Sequence, residues 1–307
     1  MSSAAPRVWH ISGANTGLGL NLAVKALQEG DQVVAAVRSP SKVPDVLRGP
    51  NVKVLQYDAS WSQEAINAYT DSAFSAFSKI DVLVNNAGYA YLGAVEETES
   101  VEYTSLSLSL QLLIAHRDAQ VQNQFDINVF GVLRTIRSFL PHFRSQKCGT
   151  IMNISSIGGL HGYVSNGVYC ATKFAIEGIT DALAGEIEPF GLKAVVVEPG
   201  YFRTEFLKNP ASGSNLAPEM AVYEGTPAQK AREAITLYNG RQPGDPKEGA
   251  ARMWEYVAGE GLFKGKERLL RLPLGSDTGV MMREVGANLA KTAEYYEDIW
   301  KSTDFDD

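Results

Sequence analysis

Two side chains able to do acid–base chemistry together, Tyr169 and Lys173, stand four residues apart in the segment Tyr-Cys-Ala-Thr-Lys. On a helix this spacing places them on one face, one turn apart. A free phenol titrates at about pH 10, and a nearby ammonium favours its phenolate. The pair could therefore exchange a proton with an alcohol or carbonyl oxygen near neutral pH. Such pairs are frequent on ordinary helices, so the spacing alone is weak evidence.

A glycine-rich turn near the N-terminus offers a second kind of chemistry, the binding of phosphate. The run from Ser12 to Gly19 has the spacing G-x-x-x-G-x-G and joins an apolar run to a helical one. Glycines there allow a tight turn, close approach of the backbone to a pyrophosphate, and close packing of helix on strand. The helix N-terminus adds free N–H groups. We favour a nucleotide site over a plain tight turn, with these candidate residues: Gly13, Asn15, Thr16, Gly17, Leu18 and Gly19.

The residues after the next strands bear on the choice of nucleotide. The second strand ends at Val37-Arg38, and an Arg there suits a 2′-phosphate, whereas a carboxylate would favour NAD. This predicts NADP(H), the alternative being a solvated surface Arg. Asp58 either accepts from the adenine amino group or belongs to a surface turn. Asn86, Ala87 and Gly88 either let the backbone pass beside the adenosine or form a plain turn.

Apolar runs alternate with helix-length segments, which predicts a doubly wound, Rossmann-type α/β fold with a parallel sheet and helices on both faces. Ligands of such sheets lie beyond the carboxyl ends of the strands, where the residues above are found. The predicted strands are Arg7–Ser12, Gln32–Val37, Val52–Gln56, Ile80–Asn85, Thr150–Ser155 and Lys193–Glu198. The predicted helices are Leu18–Gln28, Ser62–Phe77, Val121–Phe143 and Val168–Glu188.

Composition narrows the classes of function. Of the 307 residues, 45% are hydrophobic, as expected of a globular protein. The formal net charge of −7 argues against a general binder of nucleic acid. The start of the chain lacks a secretory leader pattern and no run is long enough to span a bilayer, so we expect a cytoplasmic protein. The four histidines lack ligand spacing, so no metal is expected. We expect Cys170 to be a packed thiol.

Two segments break the alternation. Residues 99–120 are longer than a strand-to-helix connection needs, and we interpret them as an insertion, either a surface loop or an enlarged helix. Between residues 201 and 265 the strand signal disappears, which indicates a lid or specificity region beside the ligand site. No linker separates a second folded unit, so residues 1–307 are expected to form one nucleotide-binding domain with a C-terminal substrate-binding extension.

Taken together, these motifs resemble the short-chain dehydrogenase/reductase family in its short single-domain branch. The matching pieces run in the family's order from residue 8 to residue 204. They are the Gly13/Gly17/Gly19 turn, Asn85-Asn86-Ala87-Gly88, Asn128, Ser156, Tyr169 with Lys173, and Pro199-Gly200 followed by Thr204. Gln242-Pro243-Gly244-Asp245-Pro246 is similar to the hydroxysteroid-dehydrogenase-like subgroup.

The resemblance implies a role for each matching residue. Tyr169 would be the general acid in reduction, and Lys173 would hold the nicotinamide ribose and lower the tyrosine pKa. Ser156, thirteen residues before the tyrosine, would polarise the substrate oxygen. Asn128 would hold a water of a proton relay, and Thr204, after Pro199 and Gly200, would orient the carboxamide. Structural readings stay open: Asn128 as a helix contact, Thr204 as an N-cap.

The expected function is therefore NADP(H)-dependent hydride transfer to or from a carbonyl or secondary alcohol of a medium-sized apolar substrate. Candidate wall residues are Leu160, Tyr163, Tyr201, Phe202 and Phe206, with ordinary packing as the alternative. The resemblance implies a homodimer or homotetramer. One rival is a catalytically silent NADP(H)-binding regulator of the same fold. An epimerase of the longer family branch is disfavoured, because its glycine turn would have the spacing G-x-x-G-x-x-G.

Overall fold

The centre of the molecule is a sheet of seven parallel strands in the order β3-β2-β1-β4-β6-β7-β9. The structure, a computed structural model, describes residues 5–98, 119–207 and 214–305. The strands of this sheet are β1 (Val8–Ser12), β2 (Gln32–Val37), β3 (Val52–Gln56), β4 (Val82–Asn85), β6 (Thr150–Ile154), β7 (Lys193–Pro199) and β9 (Arg271–Leu274). A separate two-stranded parallel sheet pairs β5 (Ala90–Leu92) with β8 (Ser214–Leu216).

Helices cover both faces of the large sheet. They are α1 (Gly17–Gln28), α2 (Gln63–Ser75), α3 (Gly131–Gln146), α4 (Gly167–Ile187), α5 (Pro227–Tyr238), α6 (Pro246–Ala258), α7 (Ser276–Tyr295) and α8 (Glu297–Lys301). Residues 119–125 are also helical and continue through a π-helical turn, Asp126–Phe130, into α3. Across the described part of the chain, no helix has both the length and the apolar character needed to cross a membrane.

The strands of the sheet are apolar on both sides because both of its faces are covered. On one face, Trp9 and Ile11 of β1 pack with Leu22 of α1 and with Met253 of α6. On the other face, Val8 packs among residues of α2, α3 and α4, including Phe139. A doubly wound sheet of this kind places the carboxyl ends of β1, β4, β6 and β7 along one edge.

His10 of β1 is a buried member of the second face. Its Nε2 lies 2.8 Å from the Tyr69 hydroxyl. Burial lowers the pKa of His10 to about 3, so the imidazole is neutral at physiological pH and serves the core, as its place on a strand predicts.

The predicted doubly wound fold is confirmed, and most predicted boundaries are within two residues of those observed. The prediction of no strand between residues 201 and 265 is wrong in one detail, since β8 lies there. Three residues paired only with an equally short strand leave too little apolar pattern to recognise. Most of the predicted insertion, residues 99–118, lies outside the described residues; residues 119 and 120 begin the helix that leads to α3.

Candidate active site

The glycine turn between β1 and α1 has the backbone that its sequence predicts. Gly13 and Gly17 have φ of +67° and +56°, in the region that favours glycine. The N–H of Gly13 donates to Ala36 O at 2.9 Å, which ties the turn to β2. A Cβ on Gly19 would lie 2.5 Å from both Asn86 Nδ2 and Gly13 O. Only glycine lets the helix approach the turn this closely.

Ser12 locks the turn after β1 to the turn after β4. Its Oγ accepts hydrogen bonds from the N–H groups of Asn86 and Ala87, each at 3.0 Å. Asn86 Nδ2 donates in return to Ser12 O at 2.8 Å. The two turns are therefore one rigid unit, and Gly88 follows it on the wall of a cavity. This cavity has a volume of about 680 Å³, large enough for a dinucleotide and part of a substrate.

Basic residues lie at the end of the cavity beside β2 and β3. Arg38, Ser39 and Lys42 line it there, together with Asp58. The Asp58 carboxylate accepts from the N–H and the hydroxyl of Ser60, at 3.0 and 2.8 Å. Asp58 thus stabilises its own turn while also lining the cavity, so both readings of this residue have contacts that support them.

Tyr169 and Ser156 meet on the wall of the same cavity. Ser156 follows the end of β6, and Tyr169 lies in the first turn of α4. Their side chains are close enough for Ser156 to act on the titration of the phenol, and Ser156 Oγ accepts from the N–H of Gly158 at 3.1 Å. Burial raises the pKa of Tyr169 well above its usual value, and Ser156 opposes this in part. The phenol is therefore protonated at neutral pH and can donate its proton.

Lys173 lies one turn along α4 from Tyr169. Its Nζ is 5.6 Å from the centre of the Tyr169 ring and donates to Ile154 O at 2.8 Å. Burial lowers the pKa of Lys173 to about 8, with the charge of Glu177 acting in the opposite direction. The ammonium therefore remains mostly charged at neutral pH, within reach of the tyrosine and next to the strand that leads to Ser156.

Asn128 lies behind these residues, in the π-helical turn before α3. Its Nδ2 donates to Tyr89 O at 2.8 Å and to Thr172 Oγ1 at 3.1 Å, and its Oδ1 accepts from the N–H of Tyr89 at 3.1 Å. A Cβ on Gly88 would be 3.0 Å from Asn128 Oδ1 and 3.9 Å from Lys173 Nζ. Asn128 thus joins the chain after β4 to α4 and lies near Lys173. These contacts support the structural interpretation of Asn128, in which its amide makes polar contacts between helix and chain.

The cavity continues from Tyr169 between apolar walls. Four of the five predicted wall residues line the cavity: Tyr163, Tyr201, Phe202 and Phe206. The fifth, Leu160, is not among the described residues that line it. The Phe206 ring centre is 6.0 Å from that of Tyr169. Pro199, Gly200 and Thr204 lie nearby on the same wall, and Thr204 Oγ1 accepts from the N–H of Phe206 at 3.3 Å. Cys170 is buried beside Gly158, and burial raises its pKa.

A buried ion pair ties α5 to the chain that follows β5. Arg232 of α5 donates through Nη1 to Glu97 Oε2 at 2.7 Å, and both side chains are almost fully buried. The Glu97 carboxylate also accepts from the N–H groups of Ala94, at 2.9 Å, and Met220, at 3.1 Å. Ile235, one turn after Arg232, lines the cavity. The ion pair therefore sets the position of one cavity wall.

Several cavity residues were not predicted from the sequence. Lys42 had a readable signal, a second cation four residues after Arg38 and close to the end of β2. The others are residues such as Tyr89, Leu92 and Ile235, which line the cavity through contacts distant in sequence. Nothing in the local pattern separates an apolar residue on a cavity wall from one in the core.

The arrangement defines a dinucleotide-binding α/β protein whose cavity brings a protonated phenol, a serine hydroxyl and a buried ammonium together beyond the carboxyl ends of the strands. A family profile described as short chain dehydrogenase matches residues 7–214. The chain belongs to this family and is an oxidoreductase.

Relatives of this chain bear similar descriptions. Human retinol dehydrogenase 8 is 35% identical over 246 residues, which cover 77% of this chain and 70% of the relative. An uncharacterised oxidoreductase of Schizosaccharomyces pombe is 35% identical over 211 residues, 65% of this chain and 81% of the relative. The crystal structure of a short-chain dehydrogenase from Streptomyces avermitilis superposes with a TM-score of 0.82 at 28% identity, covering 98% of this chain and 100% of that one.

Proposed function

We propose that this protein is an NADP(H)-dependent reductase or dehydrogenase that acts on a carbonyl or secondary alcohol of a medium-sized apolar substrate. The observation that carries the proposal is that Tyr169, Ser156 and Lys173 lie together on the wall of the cavity that begins at the glycine turn. A regulator that only binds a nucleotide has no need of a buried acid aligned with a hydroxyl group, so the silent alternative is disfavoured.

The residues of the cavity suit a nicotinamide dinucleotide from one end to the other. A pyrophosphate would lie against Gly13 and Gly17, which line the cavity at the N-terminus of α1, where the first N–H groups of a helix favour an anion. Arg38 and Lys42 line the cavity beside the end of β2 and would pair with a 2′-phosphate. Pro199, Gly200 and Thr204 would face the nicotinamide end. When bound, the nicotinamide supplies or accepts the hydride.

The protein's own residues handle the proton and the orientation of the substrate. In reduction the Tyr169 hydroxyl donates its proton to the substrate oxygen, and Ser156 Oγ donates a hydrogen bond to the same oxygen. The Lys173 ammonium stabilises the phenolate that results. Asn128 fixes α4 against the chain after β4, so that Tyr169 and Lys173 keep their positions. In oxidation the same groups act in reverse.

The substrate class follows from the walls beyond Tyr169. They combine four aromatic residues with aliphatic ones, and one relative is named for retinol, an apolar alcohol. An apolar carbonyl or alcohol with a hydrocarbon body fits this lining.

A cytoplasmic location and assembly into a homodimer or homotetramer are part of the same proposal. Two exposed aromatic side chains, Phe130 and Phe174, are candidates for the subunit contact.

The test is turnover with a panel of apolar aldehydes and ketones, each with NADPH and with NADH. We expect NADPH oxidation with several of them. Tyr169→Phe should lower kcat by a factor of about 10²–10⁴ while the Kd for NADPH stays within about twofold. Tyr163→Phe, which changes another phenol of the cavity, is the matched control and should retain most of the activity. NADPH binding without turnover by the wild type would favour the regulator.

The coenzyme preference is tested by Arg38→Asp and Lys42→Met. Each change removes one charged partner of the 2′-phosphate, and we expect the Kd for NADPH to rise about 10-fold to 100-fold with little change for NADH. Arg48→Ala removes an exposed Arg outside the cavity wall, paired with Asp45, and should change neither Kd. Equal losses for both coenzymes would contradict the phosphate role.

A further inference from the structure

Two buried carboxyl groups meet at one guanidinium behind the catalytic helix. Glu177 of α4 and Glu198 of β7 both contact Nη1 of Arg271, Glu177 through Oε2 and Glu198 through Oε1 at 2.8 Å. The Nη2 atom of Arg271 donates to Asp181 at 3.0 Å. The Glu177 side chain is 7% exposed and that of Glu198 0%, whereas Asp181 is 52% exposed. The cluster has no part in the chemistry assigned above.

The charges of this cluster do not balance if every group is ionised. One guanidinium faces two buried carboxyl groups whose oxygens contact the same nitrogen, and like charges this close cannot both remain ionised away from water. Burial raises the pKa of both groups, and the charge of Glu177 contributes to raising that of Glu198, to about 7. The pair therefore holds a proton up to a higher pH than a free carboxyl group would.

The cluster connects three elements of the active site. Glu177 lies one turn beyond Lys173 on α4, and its charge favours the ammonium form of Lys173. The Ser155 hydroxyl, next to Ser156, donates to Lys173 O at 3.5 Å. A Cβ on Gly159 would be 2.4 Å from Ser155 Oγ and 2.8 Å from Glu177 Oε1, so glycine leaves room for these two side chains.

Glu198 extends the connection to the nucleotide site. It immediately precedes Pro199 and Gly200, which line the cavity. Arg271, on β9, pairs in register with Val196 of β7 and so holds this strand to its neighbour. The cluster thus links α4 to the end of β7 through Arg271 of β9, and none of its three side chains, Glu177, Glu198 and Arg271, lines the cavity.

We propose that Glu177 is a positioning residue of the active site: its buried carboxylate, fixed by Arg271 one helical turn beyond Lys173, keeps the Lys173 side chain in its charged form. This inference rests on the proposed function only for its effect on turnover. Glu177 is the charged group that acts on Lys173; Tyr169 on the same helix, the Ile154 carbonyl of β6 and the Asn128 amide are neutral at pH 7.

The consequence is a defined change in pH dependence. Glu177→Gln removes the negative charge that raises the pKa of Lys173, so the ammonium is lost at lower pH. In the direction of reduction, the alkaline limb of the kcat/KM profile should move down by roughly one pH unit. A structural defect alone would lower the rate at every pH without moving the limb. A limb that stays in place in folded Glu177→Gln overturns the proposal.

Glu198→Gln and Asp181→Asn are the matched controls, since they alter the other two carboxyl groups on Arg271. With Glu198→Gln, Glu177 no longer competes for a proton and remains ionised, so the alkaline limb should stay at or above that of the wild type. Asp181→Asn changes an exposed group and should leave the profile as it is. A downward shift of similar size in all three variants would contradict the special role of Glu177.

A spectroscopic measurement tests the cluster without turnover. Infrared difference spectra between pH 5 and pH 9 should show a protonated carboxyl band that is lost through pH of about 7, and Glu198→Gln should lack it. Absence of the band in the wild type overturns the protonation of the pair. If the wild type reduces no carbonyl in the panel, the proposed function fails, while the infrared result still decides whether the pair holds a proton near neutral pH.

Discussion

The Lys173 ammonium lies 5.6 Å from the centre of the Tyr169 ring and is held there by a hydrogen bond to Ile154 O. Both side chains are buried, and burial acts on them in opposite senses: it raises the pKa of the phenol and lowers that of the ammonium. At neutral pH the pair is therefore a protonated phenol beside a mostly charged ammonium, the state that a proton donor to a carbonyl requires.

Lys173→Met should separate activity from stability. The pKa of Lys173 is about 8 in the fold against 10.5 for the free side chain, so the unfolded chain binds more protons between these values. The buried charge therefore disfavours folding most below pH 8, by about 3 kcal/mol at the limit. We expect kcat to fall at least about 100-fold, with a free energy of unfolding at pH 7 no lower than that of the wild type.

The measurements for Lys173→Met are steady-state kinetics and urea unfolding at pH 7. Lys193→Met, which removes an exposed Lys at the start of β7, is the control and should keep wild-type kinetics. A Lys173→Met variant with an undiminished kcat would contradict the role of the ammonium.

Gly19→Ala should disrupt the nucleotide turn. The new Cβ would lie 2.5 Å from Gly13 O and from Asn86 Nδ2, so α1 must move away from the turn. We expect a loss of about 1–3 kcal/mol of stability and a weaker NADPH complex, measured by thermal unfolding and fluorescence titration. Gly185→Ala lies at an exposed helical position, where a new Cβ would meet no atom of the described residues within 4 Å apart from the backbone of its own helix. This change should be neutral or slightly stabilising. Similar losses in both variants would show that the Gly19 contact is unimportant.

Glu97→Gln should weaken the attachment of α5. It removes the close, buried partner of Arg232 and leaves the largely exposed Glu219 at 3.7 Å, and breaking a buried pair costs about 3–5 kcal/mol. Because Ile235 on the same helix lines the cavity, KM for an apolar substrate should rise as stability falls. Glu248→Gln breaks a partly exposed pair with Arg252 on α6 and should cost less than about 1 kcal/mol. Urea unfolding and KM are measured for both variants, and equal effects in the two would contradict the prediction.

His10 should make the fold sensitive to mild acid. Its pKa is about 3 in the fold and 6.5 when free, so between these values the unfolded chain binds the extra proton. Stability is retained above pH 6.5 and declines as pH falls below it, by up to about 1.4 kcal/mol for each pH unit. His10→Gln should lack this contribution, so the stability difference between it and the wild type should shrink on acidification.

Urea unfolding from pH 7 to pH 4.5 measures the contribution of His10. Comparing variant with wild type at each pH cancels the contributions of other groups, including Glu198, whose raised pKa acts in the opposite direction. His142→Gln, at a partly exposed site paired with Asp71, controls for the replacement of an imidazole outside the core. Parallel curves for wild type and His10→Gln would refute the prediction.

Local patterns predicted six of the seven strands of the large sheet; Arg271–Leu274 was not among them. Strands such as Gln32–Val37 are continuous apolar runs because they are buried on both faces, and this pattern is visible without a structure. The short strand Ser214–Leu216 was not predictable, since its three residues are paired only with Ala90–Leu92. Its existence depends on a contact between segments more than a hundred residues apart.

The sequence by itself determined the fold class, the family and the elements that carry Gly13, Ser156, Tyr169 and Lys173, because each depends on spacing along one strand, turn or helix. Only the tertiary structure decided what those side chains meet. Burial raises the pKa of Tyr169. The Asn128 amide donates hydrogen bonds to Tyr89 and Thr172. Glu177 and Glu198 both contact Arg271. These outcomes follow from desolvation and from the approach of distant segments, and neither is written in local spacing.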